Sequence, residues 1–211
     1  MLRKVFLSTI KMKFDKPEFV AVFKSRDMEL GEQQHFAPIS YLLEQNVEPG
    51  DNVTIITGVT HTPEPQENYR LLKEDLEGIL AAHQAKGEFI VIDEPDFEED
   101  REQMDSLTFN EFFKDVSDQL QSGDRIYADM TFGMKCYTLG MYIAMEYAAK
   151  ACEDLSIEQV VYSQRYRGEG SAPATSDIID ISSLFYISSI VNKLQPGQKR
   201  DMDGFLNFII G

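Results

Sequence analysis

Short apolar or β-branched runs alternate with longer stretches of helical apolar spacing along this chain, the pattern of a parallel sheet covered by helices on both faces. Residues 4–10 form the first expected strand, and 52–57, 89–92, 125–130, 158–163 and 177–181 the later ones. Residues 19–23 are a further short extended run; Pro17, just before it, excludes a continuous strand there. Helical spacing falls at 35–45, 66–85, 107–120, 133–150 and 182–194, with Ser106 or Thr108 as possible caps of the third helix. The expected fold class is therefore α/β and Rossmann-like, a mostly parallel sheet of about six strands with helices on both faces. Residues 1–194 make up that domain. Residues 195–211 form a C-terminal tail whose Phe205, Leu206, Phe208, Ile209 and Ile210 could dock on the core or on a second subunit.

A chain of 211 residues buries enough surface to need neither disulfide nor metal. Cys136 and Cys152 lack metal-ligand spacing and a secretory context, which fits two reduced thiols. The first residues read as a strand rather than a signal peptide, and no apolar run approaches the roughly 20 residues that cross a bilayer. The expectation is a soluble, cytoplasmic protein without cofactor. A net charge of −16 repels polyanions, so non-specific binding to DNA, RNA or an anionic membrane is not expected. A small anionic ligand requires only a compact, locally positive site. Residues 93–105 hold eight carboxylates and one arginine; such a run fits a solvated loop better than a cation site, because the ligand spacing of a calcium loop is missing.

In an open α/β sheet, ligands lie beyond the carboxyl ends of the strands. Those ends are Ser8-Thr9, Thr57-Gly58, Asp93, Asp129 to Lys135, and Gln164 to Gly170, and the fourth is richest in suitable groups. There the chain leaves a buried strand through Asp129-Met130-Thr131-Phe132-Gly133-Met134-Lys135 and enters a helix. Free backbone N–H groups and the positive end of the helix would face the ligand edge. Thr131 can cap the helix or bind a phosphate, and Gly133 allows close approach or an unusual turn. Lys135 is a cation in a first turn, where the macrodipole disfavours it unless an anion is present. The same residues equally fit a plain cap, a turn glycine and a surface charge. Neither the dinucleotide-binding nor the P-loop glycine pattern occurs.

Asp129, Thr131, Gly133 and Lys135 resemble the Asp-x-Thr-x-Gly-x-Lys/Arg motif of the CARF (CRISPR-associated Rossmann-fold) sensors of type III CRISPR systems. Val5 to Thr9, Phe36-Ala37-Pro38-Ile39 opening a helix, and Val160 to Ser163 leading to Asp177 to Ile181 extend the resemblance in the expected order to about Leu194. It implies a homodimer that binds a cyclic oligoadenylate, cyclic tetra-adenylate or cyclic hexa-adenylate with the former favoured, across a two-fold axis. It implies further that Ser8 and Thr9 line the pocket floor, with Thr57 and Gly58 at the neighbouring strand end. Thr131, Gly133 and Lys135 would hold phosphates, Asp129, Phe132 and Met134 would belong to the same ligand-binding turn, and Gln164, Arg165 or Arg167 would cover the ligand. The family usually couples the sensor to an effector, but His35, His61 and His83 all lie in the N-terminal half, away from any C-terminal ribonuclease motif.

Three classes of function follow. The chain is a binding module that signals to a partner, a ring nuclease that ends the signal, or an unrelated Rossmann-like nucleotide enzyme. Ring cleavage needs no metal: a ribose 2′-OH attacks the adjacent phosphorus, the bond to the 5′-oxygen breaks, and a 2′,3′-cyclic phosphate remains. Lys135 would stabilise the developing charge, and Ser8 or Thr9 would orient the ribose or phosphate.

Overall fold

The computed structural model describes residues 2–10, 22–96, 100, 105–166, 174–194, 197, 203, 204 and 207. The elements run β1 (Arg3–Thr9), β2 (Val22–Ser25), α1 (Pro38–Asn46), β3 (Asn52–Thr60), α2 (Pro63–Ala82), β4 (Lys86–Glu94), α3 (Ser106–Gln119), β5 (Arg125–Asp129), α4 (Lys135–Ala151), β6 (Ser156–Tyr166), β7 (Thr175–Asp180) and α5 (Ser182–Val191). The fold is α/β and Rossmann-like, with a mostly parallel sheet in the order β2-β7-β6-β5-β1-β3-β4. Seven strands form it rather than about six. The addition is β2, a four-residue edge strand paired in parallel with β7, too short to show a period in sequence. Among the described residues the one antiparallel pair is β6 with β7.

Strand alternation sorts the apolar side chains into two layers. Phe6, Ile55, Val59, Tyr127 and Val161 face α1 and α2, packing on Ile39, Leu42, Leu72 and Leu76. Val5, Leu7, Ile56, Ile126, Ala128 and Val160 face the other way, against Phe112 and Val116 of α3, Tyr137, Met141 and Met145 of α4, and Phe185 of α5. The cap of helix α3 is Asp105, one residue before Ser106 and three before Thr108. Asp105 accepts from the backbone N–H groups of Leu107 (2.7 Å) and Thr108 (3.2 Å), and Thr108 accepts in return from the Asp105 N–H, a reciprocal capping box.

No described helix is long and apolar enough to cross a membrane. Cys136 and Cys152 are free thiols. Arg167 lies outside the described residues, as do most of the acidic run and most of the tail.

The strand order locates a crevice. From β1 the chain builds outward through β3 and β4, then returns to place β5 on the other flank of β1. Helix α1 packs on one face of the sheet and α4, which follows β5, on the opposite face. The carboxyl ends of β1 and β5 are therefore the topological switch point, where open α/β sheets hold their ligands.

Candidate functional site

The turn from Asp129 to Lys135 lies at that switch point. Asp129 pairs in register with Ser8 of β1 and is almost fully buried. Its carboxylate accepts from the Thr131 N–H (2.9 Å) and from the Ile39 N–H (3.3 Å) in the first turn of α1. Pro38 opens α1, and Ala37 before it supplies no side-chain cap, so Asp129 serves as a remote cap tying α1 to the turn. Burial raises the Asp129 carboxyl to about 6, opposed by hydrogen bonds from Thr131 and Ile39.

The approach to α1 is itself clamped. The buried His35 ring lies 3.0 Å from Asp75 through Nδ1 and 3.1 Å from Glu44 through Nε2, and Asp75 also accepts from the Phe36 N–H at 2.9 Å. Asp75 and Glu44 thereby fix residues 35 and 36, just ahead of α1.

Thr131 is not the cap of α4. The cap position is Met134, which makes no side-chain hydrogen bond. The Thr131 hydroxyl instead accepts from the Ser163 N–H of β6 at 2.9 Å and hydrogen-bonds Asp129. Helix α4 starts at Lys135 rather than at residue 133, because Gly133 has φ +82°, a left-handed conformation no α-helix contains. The Phe132 carbonyl accepts from Thr9 and from Thr138 (3.2 Å), so the turn is fastened to β1 beneath it and to α4 beside it.

Ser8, Thr9, Thr57 and Gly58 support the site from within rather than lining it. Ser8 and Thr57 are buried, with their hydroxyls 3.5 Å apart on the α1 side of the sheet. Thr9 is buried directly under Gly133, and a Cβ on Gly58 would meet the buried Glu94 carboxyl. Of the two hydroxyls expected on the pocket floor, that of Thr9 donates to the Phe132 carbonyl and that of Ser8 faces Thr57.

Above the turn is an open cleft of about 460 Å³, lined by residues that include Thr131, Phe132, Gly133, Lys135, Tyr142 and Tyr162, a size typical of small-ligand sites. Lys135 is exposed at its edge, and its ammonium has no ion-pair partner among the described residues. It stands in the first turn of a helix without a side-chain cap, where the macrodipole disfavours a cation. Met134 packs inward, against the α3/α4 layer.

Sequence reasoning missed Leu139, Tyr142 and Tyr162 in this cleft. Lys135, Leu139 and Tyr142 follow the spacing i, i+4, i+7 on one helix face, a signal hidden by the overall apolar character of α4. Gln164 shares the face of Tyr162, two residues further along β6. Arg165 falls on the opposite, α1 side of the strand. Among the described residues no three His, Cys, Asp or Glu side chains converge as a metal site. No protein-family model matches this chain, and no curated protein matches it either.

Proposed function

We propose that this chain is a cytoplasmic sensor of the CARF type that binds a cyclic oligoadenylate as a symmetric dimer, cyclic tetra-adenylate being the favoured ring. The observation that carries the proposal is an unpaired Lys135 beside an uncapped α4 N-terminus, at the switch point between β1 and β5. Phosphate is the anion that such donors hold best. The cleft's aromatic walls suit a nucleobase attached to that phosphate.

Its openness supports the dimer. Leu139, Ile143 and Tyr147 project from α4 at successive turns and are each about half exposed. An exposed apolar stripe of this kind suits a two-fold contact, and Leu139 belongs both to it and to the cleft. Two clefts facing across such an axis would match a ring of repeated units.

The test is calorimetric titration with cyclic tetra-adenylate and cyclic hexa-adenylate, followed by chromatography of the mixture in EDTA. Tight binding with intact ligand makes the chain a sensor module. Linear products with 2′,3′-cyclic phosphate ends make it a ring nuclease. Binding of neither ring rejects the proposal, and capture of a mononucleotide or dinucleotide instead would favour an unrelated Rossmann-like enzyme. Lys135→Ala should weaken binding about tenfold or more, the effect of losing one charge-assisted contact of about 1.5–3 kcal/mol. Parent-like affinity would show that the phosphate lies elsewhere.

A further inference from the structure

Strand β6 outruns its neighbour. β5 ends at Asp129, opposite Val161, and the Met130 N–H donates to the Val161 carbonyl at 2.8 Å. From Tyr162 to Tyr166 the strand continues past the carboxyl edge of β5, paired only with β7. Five residues at a strand's rise carry it about 16 Å over the crevice. The projecting arm is anchored at its root by the Ser163 N–H on Thr131 (2.9 Å) and by the Ser163 and Ser176 hydroxyls, 2.7 Å apart. Its base is therefore fixed relative to the turn.

Alternation gives the arm two faces. Val161 and Ser163 turn inward and are buried. Tyr162, Gln164 and Tyr166 stand on the other face, all exposed, and Tyr162 forms a wall of the cleft that holds Lys135. The Tyr162 hydroxyl lies 3.5 Å from Gln164 Oε1, and Gln164 Nε2 donates to the Arg165 carbonyl at 3.3 Å. Both are long contacts that a better partner would replace. An exposed aromatic face beside the Gly133–Lys135 turn, followed one strand repeat later by an exposed carboxamide held only by long contacts, combines the two chemistries that recognise a purine. One stacks on the ring, and the other meets the paired donor and acceptor on the edge of adenine.

We infer that Tyr162 and Gln164 form an adenine reader, with Tyr162 stacking on a base whose phosphate lies at the Gly133–Lys135 turn and Gln164 bonding its N6/N7 edge. This inference rests on the nucleotide reading above and names the residues that set its base specificity. Stacking is indifferent to the edge of the base, whereas a carboxamide is not, so the two residues have separable effects.

The test compares cyclic tetra-adenylate with cyclic tetra-inosinate, in which an oxygen replaces the 6-amino group, by calorimetry on the full chain. The parent should prefer adenine about tenfold. Tyr162→Ala should weaken both rings about tenfold while leaving that preference, and Tyr162→Phe should bind like the parent. Gln164→Ala should bring the two rings within about threefold. Parent-like affinity in Tyr162→Ala, an unchanged preference in Gln164→Ala, or a parent indifferent to the two rings overturns the reader while the sensor reading stands. A parent that binds neither ring overturns both. Circular dichroism and thermal melting confirm that each variant is folded; because both side chains are exposed, neither substitution disturbs the core.

Discussion

Gly133→Ala is expected to abolish binding of a cyclic oligoadenylate and to destabilise the fold by about 3 kcal/mol. Two separate costs meet at this residue. Its φ of +82° is disfavoured for any residue with a Cβ by roughly 1–2 kcal/mol. A Cβ placed there would also stand 2.4 Å from Thr9 Oγ1 and 2.7 Å from Thr9 Cβ, and overpacking of this kind costs about 1–3 kcal/mol. Thr9 has nowhere to retreat, since it is buried and its hydroxyl donates to the Phe132 carbonyl. The turn must lift off β1, taking with it the backbone that leads to Lys135. Urea denaturation measures the stability change and calorimetry the binding. Gly133→Asn separates the two costs, because asparagine tolerates the left-handed conformation but keeps the Cβ. If Asn restores stability, backbone strain dominates; if it does not, the Thr9 contact dominates. An Ala variant as stable as the parent would mean that the turn is not seated on Thr9.

That pair of residues shows what can be read from a sequence and what cannot. The strand-to-helix transition at Asp129–Lys135 was legible because a β-branched run gives way to a helical spacing across a glycine. The partners of its side chains were not. Thr131 looks like a cap or a phosphate ligand, yet its hydroxyl receives an N–H from Ser163, 32 residues away. Asp129 caps α1, 90 residues earlier in the chain. Such pairings depend on strand order, and local periodicity says nothing of whether β5 falls beside β1 or beyond β4. For the same reason the sequence points Ser8 and Thr9 at a ligand, although with β1 inside the sheet between β5 and β3 their side chains are buried. Tyr162 was hidden differently: in Val160-Val161-Tyr162-Ser163 an aromatic residue reads as core, and only the excess length of β6 over β5 brings it into the cleft.

The stability of the parent relative to Glu94→Gln should fall by about 3 kcal/mol between pH 5 and pH 8. Glu94 ends β4 opposite Thr60 and is fully buried, and neither carboxyl oxygen has a hydrogen-bond partner of good geometry among the described residues. One oxygen lies where a Cβ of Gly58 would be, so the absence of a side chain at Gly58 is what admits the carboxyl. Burial raises Glu94 to about 8; the neighbouring Asp93 adds to the rise and Thr60 opposes it. Tyr137 and Cys136, in the first turn of α4, feel the same group. The sign follows from proton counting. Above its ordinary value of 4.5 the unfolded chain releases this proton while the folded chain keeps it to about 8. Over that interval the folded state binds more protons, and stability declines by about 1.4 kcal/mol per pH unit, levelling off once both states are ionised. Asp129 adds a similar slope at lower pH, ending near 6, but it is common to both proteins and cancels in the comparison. A glutamine keeps the shape without titrating, and its own unpaired amide shifts the stability by an amount that does not depend on pH. Urea denaturation at pH 5, 6, 7 and 8 therefore reads Glu94 as a difference of slopes. Parallel curves for the two proteins would mean that the carboxyl is already ionised inside the fold, and that a compensating charge stands beside it.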